Sequence, residues 1–193
     1  MTDRQYEINT FLKYMSKVMI QNPNVSFNDN TVYGFLEQYG LNENDLENGK
    51  DYRGYFDKWI DDFSDVHNIR VYIHPSQKKF LQFANKVNGD GNYLKLYLSV
   101  DPNVIDEAVN KLFRFIALND MPIASKVAGR ARSDSIVLRI RNEQDALKVV
   151  RFINSDHFFV RNARATNPFL MRCGVVGMAY DNCLSYNSMI SFL

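Results

Sequence analysis

The stretch KLYLSVDPNVIDEAVNKLFRFIALNDMPIASKVAGRARSDSIVLRIR, Lys95 to Arg141, decides how the chain reads. KLYLSV predicts a strand. Asp101-Pro102 opens a helix from Asn103 to Asn119, with the proline at an early position, where its missing N–H is no loss. Ile105, Val109, Leu112, Phe113 and Ile116 recur at helical spacing and form its buried stripe. Ile123 to Val127 predicts a short strand, and Ala131 to Asp134 a polar turn. Ile136 to Arg141 alternates Ile, Leu and Ile with Val and Arg, as a strand does. This order brings Lys95, Tyr97, Lys126, Arg130, Arg132, Arg139 and Arg141 close to one sheet. Arg139 and Arg141 share a face, because a strand repeats every two residues. So many fixed cations suit an anion, and phosphate is the commonest biological one.

On the N-terminal side, Arg70 to His74 predicts a strand stopped by Pro75. Ser76 then caps an expected helix that runs to about Val87, with Phe80, Leu81 and Ala84 inward. Asn88-Gly89-Asp90-Gly91-Asn92 is a turn, and Tyr93 to Val100 completes the next strand. Residues 3 to 21 carry Ile8, Phe11, Leu12, Met15, Val18 and Met19 at helical spacing, and Pro23 ends that helix. Ser26 to Tyr39 predicts a second short helix, residues 42 to 52 a loop, and Tyr55 to Phe63 a helix with Trp59 in a core. On the C-terminal side, Glu143 to Ser155 predicts a helix with Ala146, Val149, Val150 and Ile153 inward. The remainder reads as irregular, with a turn at Asn167-Pro168-Phe169 and close backbone approach around Gly174 and Gly177. The expected class is α+β: a mixed or antiparallel sheet with packed helices, preceded by a helical N-terminal segment. Residues 1–65 form that segment, a lid or docking layer, and residues 66–193 the α+β domain.

A chain of 193 residues, 46% hydrophobic and 23% charged, has the composition of a globular protein with a real core. Its net charge of +1 does not point to nucleic acid or membrane, and it has no nucleic-acid motif. The charge is unevenly spread. Lys126 to Arg172 holds ten Lys/Arg against four Asp/Glu, whereas residues 1–125 sum to −4. This asymmetry suits an acidic or phosphorylated partner; the alternative is a solvated basic surface. Cys173 and Cys183 lie in apolar surroundings and fit buried thiols in a reducing compartment. His67, His74 and His157 are not spaced to join them around zinc, so no metal is expected. MTDRQYEINTFLKYM lacks the pattern of a signal peptide, and no apolar run is long enough to cross a bilayer. The expected location is the cytoplasm, or export without a cleavable signal.

Several of these segments resemble the Hop-A effector family of plant-pathogenic bacteria. The shared pieces are Lys95 to Val100, Lys126-Val127, Arg132 to Leu138, Pro168-Phe169, Gly174 to Ala179 and Ser185 to Asn187. The likeness runs over roughly residues 70 to 190 and lies in the order and spacing of the pieces. More distantly, the order resembles phosphothreonine lyases and the lyase domains of lanthipeptide synthetases. These remove phosphate from phosphoserine or phosphothreonine by β-elimination and leave a dehydroamino acid. Relatives of the Hop-A family also occur in peptide-modifying gene clusters beside separate kinases. The resemblance therefore implies a phosphorylated peptide or protein as substrate, a separate kinase as partner, and no cofactor. This chain carries Tyr97 where the phosphothreonine lyases have a histidine as general acid, as the Hop-A family does. It has Asn187-Ser188 where that family has a final arginine.

β-Elimination needs a base for the Cα proton, cations for the departing phosphate and an acid for the leaving oxygen. Lys126 is the candidate base, provided that burial or neighbouring arginines lower its pKa from about 10.4. Arg130, Arg132, Arg139, Arg141 and Lys95 are the candidate phosphate contacts, and Tyr97 the acid or a positioning group. His74 and Asn167 are accessory candidates. Each has a plainer alternative. Lys126 is a solvated strand-end lysine, Arg132 and Asp134 an ion pair bracing a turn, and Tyr97 a core aromatic. His74 marks a strand end and Asn167 forms a turn. The competing function is a binding module that keeps the phosphate site for docking.

Overall fold

The computed structural model describes residues 3–24, 28–47, 50–86 and 93–181. Seven strands form one antiparallel sheet: β1 (Arg70–Ile73), β2 (Phe80–Asn85), β3 (Tyr93–Leu98), β4 (Ile123–Ala128), β5 (Ile136–Ile140), β6 (Met171–Cys173) and β7 (Val176–Asp181). Their spatial order is β1-β2-β4-β5-β3-β7-β6. The helices are α1 (Asp3–Gln21), α2 (Asp29–Gln38), α3 (Glu43–Glu47), α4 (Phe56–Asp62), α5 (Ile105–Leu118), α6 (Glu143–Ser155) and α7 (His157–Asn162). The α+β class and the helical N-terminal segment are as expected. None of the helices is long and apolar enough to cross a membrane, among the described residues.

Alternation along the strands separates two faces. Leu81, Phe83, Leu94, Leu96, Leu98, Ile123, Val127, Ile136, Leu138 and Ile140 all point to one side and are buried. They pack on the stripe of α5 (Ile105, Val109, Leu112, Phe113, Ile116) and on Ala146, Val149 and Ile153 of α6. Tyr52, Phe56, Trp59 and Phe63 join the same core. Trp59 is fully buried, and its Nε1 donates to Asp106 at 2.7 Å, which ties α4 to α5. Phe11, Met15 and Leu36 build a second, smaller core with Phe169 against it.

Three segments differ from the sequence reading. The helix expected from Ser76 to Val87 is the strand β2. Phe80 and Leu81 are both buried, but on opposite faces of the sheet, so their clustering is not a helical stripe. Short apolar runs carry little information on period, and pairing with β1 and β4 decides this one. The expected loop at residues 42–52 contains α3, started by a reciprocal cap. Asp45 donates its N–H to Asn42 at 2.8 Å, and Asn42 donates its own to the Asp45 carboxylate at 3.1 Å. After residue 155, the segment read as irregular contains α7 and the β6–β7 hairpin among its described residues, while residues 163–170 are irregular as expected. Gly174 takes the left-handed conformation (φ 66°) at that hairpin turn, which Asn154 staples from α6 through Cys173 O and Val175 N. The expected turn at residues 88–92, Cys183 and the Ser185 to Ser188 segment lie outside the described residues.

Candidate functional site: a cationic sheet face

The register sets out the second face row by row. Tyr72, Gln82, Lys126, Val137, Tyr97 and Gly177 are successive cross-strand partners over six strands. In the next row Lys95 faces Arg139 directly. Arg139 stands two residues along from Lys126's partner Val137, a diagonal neighbour at roughly 7 Å. Lys126, Lys95 and Arg139 therefore project from one face of three adjacent strands. Like charges directly across a ladder repel, so this pairing costs the sheet some stability.

Phe80 is the floor of this region. Its ring lies 4.3 Å from Lys126 Nζ, 5.6 Å from Lys79 Nζ and 5.7 Å from the Arg132 guanidinium carbon. The negative π-face attracts each cation, and the three cations repel one another. The Lys126 amine is held below the ordinary lysine value. Burial is the main cause; Asp134 opposes it, and Arg132, Lys95 and Arg139 add to it. Just past the end of β4, Gly129 fixes the backbone of Lys79. Its N–H donates to Lys79 O at 2.8 Å, and a Cβ there would lie 2.9 Å from that oxygen.

Arg132 is almost fully buried, and its partners are built in. Its Nε donates to Asp134, and its Nη2 donates to Asp134 at 3.0 Å and to the Tyr33 hydroxyl at 2.6 Å. The same Nη2 pairs with Glu37 at 2.8 Å. Burial works against the Arg132 charge, but Asp134, Tyr33 and Glu37 outweigh it and raise its pKa. Tyr33 is pushed up to about 12, by burial first and by Asp134 next. Arg130 reaches the other oxygen of Glu37 at 2.7 Å while its side chain stays exposed. The adjacent Ser133 donates its N–H to Glu37 O at 2.7 Å and its hydroxyl to Leu36 O. The turn expected at Ala131 to Asp134 is therefore locked onto α2 as well as onto itself.

The other candidates divide. Tyr97 is on the Lys126 face, two strands away, buried in a small cluster with Val137, Leu170 and Ala179. Gly177, its partner on β7, admits this cover: a Cβ there would stand 2.7 Å from Leu170. Arg141 is exposed just beyond the end of β5. His74 sits across from Phe80, and its Nδ1 accepts the Gln77 N–H at 3.1 Å in the turn after β1. Asn167 is buried, and its side-chain oxygen accepts the Phe169 N–H at 2.9 Å, within the predicted turn.

Lys79, Phe80, Tyr33 and Glu37 belong to this face and escaped the sequence reading. A period-two reading of residues 80–85 would have placed Phe80 beside Lys126. Tyr33 and Glu37 are four residues apart on α2 and so share a helix face, but nothing in the sequence pairs that face with Arg132.

No family model and no curated protein matches the sequence. The fold is similar to that of the effector protein from Pseudomonas syringae pv. tomato strain DC3000. Identity is 15% and the TM-score 0.54, over 92% of this chain and 79% of that one. It is also similar to the effector protein from Pseudomonas syringae pv. syringae strain 61, at 13% identity and a TM-score of 0.52, over 90% and 77% of the two chains. At such identities the likeness concerns the fold alone.

Proposed function

We propose that the cationic face holds the phosphate of a phosphorylated peptide and eliminates it, as a phosphoserine/phosphothreonine lyase would, with a separate kinase supplying the substrate. The observation that supports this reading is the gathering of Lys126, Lys79 and Arg132 around Phe80, beside the Lys95–Arg139 pair on the same face. The lowered pKa of Lys126 serves the same chemistry, because only the neutral amine accepts a proton. In the reaction the Lys126 amine takes the Cα proton. The electron pair forms the Cα–Cβ double bond, the Cβ–O bond breaks, and phosphate leaves toward Lys95 and Arg139. Tyr97 supplies a proton to the leaving oxygen or positions it. The fold shared with the Pseudomonas syringae effector proteins is compatible with an effector role for this chain.

The test is mass spectrometry of a kinase-phosphorylated peptide incubated with the full chain. The expected product is lighter by phosphoric acid and is trapped by a thiol, and Lys126→Ala abolishes it. Its rate rises with pH to a midpoint below the free-lysine value of about 10.4. Unchanged peptide mass with the native chain, or full activity in Lys126→Ala, overturns the lyase reading.

The competing reading is a binding module that keeps the phosphate site for docking alone, and the partners of Arg132 bear on both readings. Arg132 already has Glu37, Asp134 and Tyr33 as partners, so a phosphate gains it only by displacing a carboxylate. A module of that kind binds phosphopeptide without turnover.

A further inference from the structure

Strand β1 forms one edge of the sheet, and among the described residues no strand pairs with its outer side. The direction of its backbone groups follows from the ladder. His74 donates its N–H to Phe80 at 3.0 Å, so positions 70, 72 and 74 turn their polar groups toward β2. Val71 and Ile73 then turn theirs outward. The side chains at this edge are open, with Tyr72 40% and Ile73 43% exposed. The hairpin itself is basic: residues 70–86 contain Arg70, Lys78, Lys79 and Lys86 and no Asp or Glu, with Lys86 at its far end paired to Asp120. Tyr72 begins the row that passes through Gln82 to Lys126, and Lys79 reaches the Phe80 ring. An open ladder, basic margins and a continuous path to the cationic face thus coincide.

We propose that the outer edge of β1, with the basic turn that follows it, is a docking arm that takes an acidic segment of the substrate peptide as an added strand. Main-chain bonds to Val71 and Ile73 would give affinity, and the lysines would select negative charge. An added strand lies three strand spacings from β4, about 14 Å from the backbone of Lys126. The docked segment and the phosphorylated residue are therefore different parts of one peptide, with the intervening residues crossing Tyr72 and Gln82. The arm rests on the reading above only for what the peptide carries.

The test uses the full chain and fluorescent synthetic peptides. One joins a Glu-Val repeat to a single phosphoserine; in a second, Gly-Ser replaces the repeat; a third has the repeat without phosphate. The repeat should tighten binding on the order of a hundredfold over the Gly-Ser version, because the two contacts act on one tether. Ile73→Pro should erase that ratio, since it removes an outward donor that an edge strand folds without. In the native chain, saturating repeat peptide should slow amide exchange at Val71 and Ile73. Equal affinities, or unchanged exchange at those two amides, overturns the proposal. That outcome makes the short basic edge a guard against pairing, and Lys78→Glu should then promote self-association. A phosphoserine that adds nothing to the repeat peptide counts against the phosphate site and leaves the arm standing.

Discussion

The two faces of the sheet are built from the same strands and obey opposite rules. On the helix-covered face, Leu, Ile, Val and Phe alternate inward and meet the stripes of α5 and α6. On the other face, the same strands present Lys126, Lys95 and Arg139 from three adjacent strands, among Phe80, Val137 and Tyr97. The first arrangement lowers the free energy of the fold with every residue. The second gathers like charges and partly buries an amine whose charged form burial disfavours. Such a face weakens the fold on its own terms, and the proposed function supplies a reason for that cost.

The largest expected effect lies on the helix-covered face. Phe83 is fully buried, stacks on Phe113 at 3.8 Å and meets Phe63 edge-on at 5.5 Å. Phe83→Ala should destabilise the protein by about 4 kcal/mol, from lost transfer energy plus the cavity left behind. Urea unfolding measures it. A cost below about 1 kcal/mol would mean that the layer collapses easily, and the comparison between faces would lose its basis.

The second effect falls on the network that links the cationic face to α2. Arg132→Ala leaves Asp134 and Glu37 with no guanidinium between them and should cost about 3 kcal/mol. A double-mutant cycle with Glu37→Ala separates brace from binding site. Strong coupling in stability, with phosphopeptide affinity unchanged, makes Arg132 a brace. Tighter phosphopeptide binding in Glu37→Ala makes Glu37 a competitor for the arginines.

The helix-covered face was legible in the sequence because each of its elements repeats locally. The stripe of α5 and the alternation of β5 need no knowledge of their partners. The strand β2 was not legible, since its short apolar run fits either period and only its pairing with β1 and β4 decides. The β6–β7 hairpin depends on Asn154, roughly twenty residues upstream on α6, which no local pattern reports. The cationic face was half legible. Alternation alone sets Lys95, Tyr97, Lys126 and Arg139 on one side, but the contacts of Arg132 with Tyr33 and Glu37 span about a hundred residues of chain. Such pairing is fixed by packing between layers, so only the assembled sheet exposes it.

The smallest effect is a sign, and it bears most directly on the contrast between faces. The folded-state pKa of Lys126 lies below its unfolded value, so between the two the unfolded chain binds more protons. Stability then rises with pH through that window, which closes near the free-lysine value of about 10.4. Below the window the folded protein carries the full penalty of the disfavoured charge. Lys126→Met removes the charge and keeps the length of the side chain, so its Tm near neutral pH should exceed that of the native chain. The gap should shrink as pH climbs through the window, because the native amine then deprotonates in place. Thermal unfolding of both proteins across that range measures it. A native chain more stable than Lys126→Met near neutrality would mean that Phe80 and Asp134 hold the charged amine comfortably. A gap that ignores pH would mean that the methionine acts by packing alone. Either result would leave the cationic face an ordinary polar surface, without the strain that sets it apart from its opposite side.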